Sequence, residues 1–236
     1  MKKISNTLIA AIAIVSISFT SAFAGMTMGV VGSMIDASAS GTETDKLTAA
    51  GSNVTDTSIR TKSVSERGMA GSLYIEYEMS ESAWPIVFGV EVTPGTVDIS
   101  NKLSRTDTEL SQTGNALNTA ISVKRSAEAT ASGLGTIYLE APLFAGLYVK
   151  GGIARMTVNH FNDSKMDNTT NLNGTNYGLG WKTVTGGGLT VKLSYEETDY
   201  DSINLTSSTN SVAANSNNVK GDIDTAAYRF SIGKAF

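Results

Sequence analysis

The stretch YRFSIGKAF, residues 228–236, carries aromatic or aliphatic side chains at alternate positions and ends on an aromatic residue. Because successive side chains of a β-strand point to opposite faces, one face of this segment carries Tyr228, Phe230, Ile232 and Phe236. Arg229 lies on the opposite face. Alternation of this kind predicts a β-strand with one apolar and one polar face.

The same alternation recurs upstream of this final strand. In residues 72–79, for example, apolar side chains alternate with Ser, Tyr and Glu. Beyond Gly25 no apolar run approaches the ~20 residues of a transmembrane helix. Eight strands are predicted, each near the ~9 to 11 residues that cross a membrane when tilted. They lie at residues 26–36, 72–79, 88–93, 129–141, 147–150, 177–182, 189–196 and 228–233.

The segments between these strands alternate in length. Short links lie at residues 82–85, near Pro142 and at residues 185–188. Long polar segments make the other connections, at residues 37–64, 98–125, 158–174 and 200–222. Transmembrane barrels have short periplasmic turns and longer outer loops. The chain is therefore predicted to be an all-β, eight-stranded antiparallel up-and-down transmembrane β-barrel with both termini in the periplasm.

The polar faces of the predicted strands carry charges of both signs. Eight strands enclose a space that side chains can just fill, so inward charges would pair across the lumen and plug it. The rival fold is a soluble sandwich, in which the polar faces look at water. In the barrel, the predicted charge network of the lumen consists of Glu76, Glu78, Glu91, Glu140, Lys150, Lys182, Lys192, Glu196 and Arg229.

A few side chains test this assignment of faces. Two cations, Arg155 and Lys234, fall on the apolar side, but both are expected near strand ends, where a long side chain can reach water. The candidates for aromatic girdles at the membrane interfaces are Trp84, Trp181, Tyr195 and Tyr228.

Residues 1–24 have the features of a secretory signal peptide. A basic start, Met1-Lys2-Lys3, precedes an apolar stretch at residues 8–17 and a small-residue cleavage site at residues 22–24. The predicted division is a signal peptide at 1–24 and one barrel domain at 25–236. Cleavage would remove two lysines and change the formal charge from −4 to −6, which argues against nucleic-acid binding. The chain has no cysteine, which excludes disulfides and thiolate metal sites.

The terminal strand resembles the C-terminal signature of bacterial outer-membrane proteins, on the basis of Tyr228, Phe230, Ile232 and Phe236. This resemblance implies an assembly signal, read by the barrel-assembly machinery after Sec export and chaperone escort. With its signal peptide, strand count and loop alternation, the chain resembles the small eight-stranded barrels of the OmpA and OmpX type. The resemblance implies a monomer integral to the bacterial outer membrane, in contact with its lipid and lipopolysaccharide. We expect no peptidoglycan-binding domain, since no residues follow Phe236.

Three functions remain open, because a shared fold does not choose among them. The first is a non-enzymatic structural or surface-interaction role, in which the outer loops bind the partner. The second is a narrow passive, porin-like channel for small solutes. The third is a lipid-modifying enzyme, which would rest on His160, the only histidine, with Asp163 and Ser164 nearby. One histidine in a polar loop is usually loop surface, so we predict no enzyme and no cofactor.

Acidic pairs border the predicted loops, at Asp163 with Asp167, Asp199 with Asp201, and Asp222 with Asp224. Such pairs could bind Ca²⁺ or bridge to lipopolysaccharide through divalent ions. None has the spacing of an EF-hand, and Asp is a common turn former. Solvated loop surface is the favoured interpretation, and no metal site is predicted.

Overall fold

The computed structural model describes residues 25–48, 55–79, 85–113, 116–162, 168–211 and 213–236. The predicted signal peptide at residues 1–24 lies outside the described residues, as do Trp84, Asp163 and Ser164. The described residues form strands joined by turns, and they include no helix long and apolar enough to cross a membrane.

Nine strands form one antiparallel sheet that closes on itself. Each strand pairs with its neighbour in the sequence, except that β7 and β8 both pair with β9. The sheet closes because β1 pairs with β9 from Thr27↔Ala235 to Lys46↔Ser216. The strands are β1 Met26–Thr48, β2 Thr55–Glu78, β3 Val87–Thr113, β4 Ala116–Pro142, β5 Leu147–Asn162, β6 Asn168–Val184, β7 Leu189–Tyr200, β8 Ile203–Ser211 and β9 Ala213–Ala235.

Strands β7 and β8 together occupy one position in the barrel wall. β7 pairs with residues 224–234 of β9, and β8 pairs with residues 213–221 of the same strand. The wall therefore has eight positions around it. The predicted all-β, eight-stranded, antiparallel up-and-down arrangement is confirmed.

The short turns and both described chain ends lie at one end of the barrel. The Gly25 N–H donates to the Phe236 carbonyl oxygen over 3.0 Å, and the Phe236 N–H donates to the Met26 carbonyl oxygen over 2.9 Å. In the turns after β4 and β6, Gly146 and Gly188 adopt φ of 82° and 76°, a left-handed conformation that glycine takes at little cost.

The segments at the other end differ from the predicted loops, because most of their residues are paired strand. β1 and β2 stay in register out to Thr48↔Thr55, and β3 and β4 out to Thr113↔Ala116. Eight of the nine strands are 12 to 27 residues long, more than a membrane crossing needs. No apolar alternation marks these segments, but backbone pairing does not require one. We call the distal ends of the hairpins β1–β2, β3–β4, β5–β6 and β8–β9 the outer hairpins.

The wall separates exposed apolar side chains from buried polar ones, as the alternation predicts. On β2, Ile75 and Tyr77 are 46% and 51% exposed, whereas Tyr74 and Glu76 are 3% and 1% exposed. The outward residues form an apolar belt around the half of the barrel next to the short turns. Its members include Met34, Met69, Ile75, Tyr77, Phe88, Val90, Val92, Ile137, Leu139, Val149, Ile153, Tyr177, Leu179, Trp181, Leu189, Leu193, Tyr195, Tyr228, Phe230 and Ile232.

Inward side chains fill the lumen in two layers. A charged layer lies at the level of the belt. Farther toward the outer hairpins, an apolar layer packs together Ile99, Ala131, Met156, Val158, Leu172 and Ile223. The barrel core is therefore packed on its axis, as expected for a wall of eight strands.

Candidate functional site: the charged layer of the lumen

Six strands supply the side chains of the charged layer, and the strand register brings them to one level. Glu140 of β4 lies opposite Lys150 of β5 in their ladder. Lys192 and Glu196 lie four residues apart on the same face of β7, as the strand period of two requires. The layer consists of Glu76, Glu91, Glu140, Lys150, Lys192, Glu196 and Arg229.

Arg229 centres the part of the layer nearer the outer hairpins. Its guanidinium pairs with Glu91 through Nη2 and donates from Nη1 to Glu196 Oε2 over 2.6 Å. Lys150 Nζ donates to the same Glu196 oxygen over 2.8 Å and lies 4.0 Å from Glu91 Oε2. Two carboxylates and two cations therefore balance in this cluster.

Lys192 centres the part of the layer nearer the short turns. Its ammonium donates to Glu76 Oε1 and to Glu140 Oε1. All three side chains are at most 6% exposed. Two carboxylates thus share one ammonium group, and removal of that cation would leave both buried carboxylates without their nearest positive charge.

Tyr138 joins the two clusters. Its hydroxyl donates to Glu76 Oε1 over 2.8 Å, and its ring centroid lies 3.8 Å from Lys150 Nζ. Lys192 Nζ lies 4.9 Å from the ring centroid of Tyr148. A cation near the face of an aromatic ring is attracted by the ring quadrupole, so these rings offset part of the hydration that the buried ammonium groups lose.

The inward tyrosines lie over glycines of the neighbouring strands. The ladders pair Gly29 with Tyr74, Gly89 with Tyr138, and Gly180 with Tyr148. A Cβ atom at any of these glycines would collide with the paired ring. These tyrosines were not among the predicted members of the charge network. A signal was available, because each tyrosine stands two residues before a charged residue of the layer and so shares its face.

Two predicted members of the network make no ion pair in the charged layer among the described residues, although Lys182 lies opposite Lys192 in the β6–β7 ladder. Glu78 is exposed, because it is the last residue of β2 and lies at the rim of the barrel. Lys182 lies two residues from the end of β6 and is half-buried; it makes no ion pair with any residue that the structure describes. The structure brings the other seven predicted residues together.

The charged layer closes the lumen along its described side chains. The space among them is a cavity of about 10 Å³, close to the minimum of ~10 to 15 Å³ that holds one water molecule. A solute larger than water can pass only if the ion pairs separate. Separation would leave buried charges unpaired, which costs several kcal/mol in proteins.

The outer edge of the apolar belt is polar and hydrogen-bonded. The hydroxyls of Tyr195 and Tyr177 donate to Glu197 over 2.7 and 2.9 Å, and these two hydrogen bonds lower the pKa of Glu197. Arg67 donates to the two carboxylate oxygens of Asp36 over 2.5 and 3.0 Å. That hydrogen bonding lowers the pKa of Asp36. Tyrosine at such an edge is typical of a membrane interface.

The residues of the predicted assembly signal lie on the outer surface of β9. Tyr228, Phe230 and Ile232 are 58%, 47% and 36% exposed, and Phe236 follows the end of the strand. Lys234 donates to the Gly187 carbonyl oxygen at the short-turn rim. Arg155 is exposed on the outward face, beyond Ile153 of the belt.

The prediction that the chain is not an enzyme stays a prediction. His160 lies on β5 opposite Ala129 and Asn168, whereas Asp163 and Ser164 lie outside the described residues. Within the described residues, no group of three or more His, Asp or Glu side chains has an arrangement that could hold a metal ion.

Closed strand pairing, an exposed apolar belt and a buried charged layer together define an antiparallel up-and-down β-barrel with a filled lumen.

Among solved structures, the chain is similar to Ail of Yersinia pestis in complex with the heparin analogue sucrose octasulfate. The identity is 11% and the TM-score is 0.32, over 83% of this chain and 98% of that chain. It is also similar to the outer membrane protease OmpT of Escherichia coli, at 9% identity and TM-score 0.33, over 92% and 99% of the two chains.

A FadL homologue of Pseudomonas aeruginosa is similar at 5% identity and TM-score 0.32, over 88% of this chain and 90% of that chain. All three TM-scores lie below 0.5, so the fold given above rests on the strand pairing of this chain itself. No protein-family model and no curated protein matches the sequence.

Proposed function

We propose that this chain is an integral protein of the bacterial outer membrane, with a plugged lumen and outer hairpins that bind a partner outside the cell. The observation that carries the proposal is the apolar belt on the outside of a barrel whose charges lie inside. A soluble sandwich would bury its apolar faces against each other, but Ile153 is 69% exposed and Tyr228 is 58% exposed.

Surrounding lipid is the environment that fits this distribution of side chains. A continuous apolar ring is much larger than the patches that soluble proteins leave in water. The predicted signal peptide supports export by Sec, and the exposed aromatic strand β9 supports recognition by periplasmic chaperones and the barrel-assembly machinery. In this proposal the barrel is an OmpA- or OmpX-like monomer without enzymatic activity, in contact with phospholipid and lipopolysaccharide.

The outer hairpins are the parts that would bind a partner. They are paired strands with exposed polar side chains, and some of those side chains are fixed by one another. Thr157 Oγ1 donates to Asn171 Oδ1 over 2.7 Å, and Asn159 Nδ2 donates to Ser132 Oγ over 3.0 Å. Polar groups held in place across paired strands suit recognition by hydrogen bonding at little entropic cost.

Fractionation of cells and heat-modifiable mobility test the membrane proposal. The folded barrel should sediment with the outer membrane and migrate faster on SDS gels before boiling than after it. Protease added to intact cells should cleave only within the outer hairpins. Extraction of the protein by water or high salt, with one mobility before and after boiling, would contradict the proposal.

A shortened hairpin tests whether the outer hairpins are separate from the barrel. Replacement of residues 104–126 by Asn-Gly would remove the distal part of the β3–β4 ladder beyond Leu103↔Ala127. We expect heat-modifiable mobility to be retained, because the belt and the charged layer are untouched. Loss of the folded form would show that this hairpin is required for the barrel.

A further inference from the structure

The ladder between β2 and β3 is much shorter than the other ladders of the wall. It runs only from Glu78↔Val87 to Leu73↔Val92, although both strands continue for many described residues beyond it. The β1–β2 ladder, by contrast, runs without interruption to Thr48↔Thr55. We call the boundary without a ladder between residues 67–72 of β2 and residues 93–98 of β3 the lateral seam.

The sequence explains where this ladder stops. Pro94 has no N–H to donate, and Gly95 after it has a left-handed φ of 90°. Across β3, the register with β4 shifts between Thr93 and Thr96, close to Gly133, whose φ is 59°. A bulge of this kind bends its strand, which ends the ladder while β3 stays beside β2.

The lateral seam begins within the apolar belt. Leu73 is the last residue of β2 in the ladder. Met69, four residues from it toward the outer hairpins, is a belt residue that is 71% exposed. At the seam the strands touch without a ladder: a Cβ atom on Gly68 would lie 3.9 Å from Val97 Cγ1. Opening a boundary that lacks a continuous ladder of backbone hydrogen bonds costs less than opening a ladder.

A cavity of about 80 Å³ lies behind the lateral seam. Its floor includes Glu91, Glu196 and Arg229 of the charged layer, and its walls include Ile99, Met156 and Ile223 of the apolar layer. Gly68 lines it from the seam. The volume is about half that of an engineered apolar cavity of 150 Å³ that holds benzene, so it fits only a few carbon atoms.

We propose that the lateral seam admits the end of one acyl chain of an outer-leaflet lipid into this cavity. The inference rests on the proposed membrane location, which places hydrocarbon against the seam. The apolar wall matches the end of a chain, and the small volume excludes a second chain. The headgroup stays outside, because the cations of the charged layer are already paired with Glu91 and Glu196.

A disulfide across the seam provides the sharpest test, since the natural chain has no cysteine. Ser72 Oγ and Thr93 Oγ1 lie 2.7 Å apart at the lower end of the seam, so Ser72→Cys with Thr93→Cys should close it when oxidised. The matched control is Ile75→Cys with Val90→Cys, a pair already in register within the ladder. Reduction reopens the seam in the same molecules, which separates blocking from misfolding.

The probe is phosphatidylcholine with a diazirine at the end of one acyl chain, in vesicles that contain the folded protein. On β5, Ile153 faces outward and Met156 faces the cavity. After irradiation, mass spectrometry should find adducts at both residues. Oxidation of the seam pair should lower the Met156 adduct at least ten-fold, leave the Ile153 adduct unchanged, and be reversed by reduction. The control pair should change neither.

Filling the cavity provides a second variant. Gly68→Leu should lower the Met156 adduct as the disulfide does, whereas Gly71→Leu, on the outward face of the same strand, should not. Adducts at Ile153 without any at Met156, or Met156 adducts that persist in the oxidised seam pair, would overturn the inference while leaving the membrane proposal intact. Absence of adducts at Ile153 would instead refute the membrane proposal.

Discussion

The two halves of the barrel are built from the same antiparallel pairing but stabilised in different ways. In the belt half, outward side chains are apolar and inward ones are charged or aromatic. The residue type that a position tolerates therefore depends on the face of the strand on which it lies. Toward the outer hairpins, the strands stay paired through their backbones beyond the belt and the charged layer. A substitution should therefore matter greatly in the belt half, according to the face on which it lies, and less at exposed positions of the outer hairpins.

Removal of Lys192 should have the largest effect. Lys192→Met would leave the carboxylates of Glu76 and Glu140 buried side by side without their cation, and breaking a buried pair costs about 3 to 5 kcal/mol. Unfolding by urea in lipid vesicles measures the change. The matched control adds Glu76→Gln and Glu140→Gln to Lys192→Met and should recover most of the lost stability. Unchanged stability of Lys192→Met would contradict the paired arrangement.

A cation on the outward face should have the next largest effect. Leu179→Arg would place a charge within the belt at a cost of about 2 to 4 kcal/mol. Asn173→Arg lies six residues along the same face of β6, beyond the belt, and should cost little. The same urea titration compares them, and equal losses for the two variants would place the membrane boundary elsewhere.

Tyr138→Phe should have a smaller effect. It removes the hydroxyl that donates to Glu76 but keeps the ring over Lys150, and an unmade buried hydrogen bond costs about 1 to 3 kcal/mol. Tyr195→Phe removes a comparable hydrogen bond on the exposed surface and serves as the control. A loss for Tyr195→Phe as large as that for Tyr138→Phe would contradict the difference between the two environments.

The pair Asp36 and Arg67 should have the smallest effect, because it is exposed to solvent. The hydrogen bonds from Arg67 lower the pKa of the Asp36 carboxyl in the folded protein. Any stabilisation from the pair is therefore present above the unfolded pKa of Asp36 and disappears as the pH falls through the lowered folded value. In Arg67→Ala, an NMR titration should find the Asp36 pKa higher than in the natural chain, with no measurable change in the unfolding midpoint.

Strands could be predicted from the sequence where apolar and polar side chains alternate between the two faces of the barrel wall. Alternation at Tyr228, Phe230 and Ile232 placed the last strand correctly, and the mixed charges of the polar faces gave seven members of the buried layer. Glu78 was assigned wrongly to that layer because alternation gives the face of a residue but not its depth from the rim. The inward tyrosines were missed because their fit depends on glycines of the neighbouring strand.

The outer hairpins could not be predicted as strands, because their apolar residues are few and irregularly spaced and so give no alternation. The short β2–β3 ladder was missed for a related reason. Pro94-Gly95 reads as an ordinary turn signal in the sequence, and only the pairing of both neighbours shows that it ends one ladder and bends another.

Conductance across a planar lipid bilayer tests the central claim most directly, namely that the charged layer closes the lumen. Folded protein inserted in a planar bilayer should give no steady current, because every solute path meets the ion pairs of Arg229 and Lys192. Insertion is verified on the same sample by heat-modifiable mobility. A stable, ohmic single-channel current from the natural chain would contradict the plugged lumen and favour the passive channel.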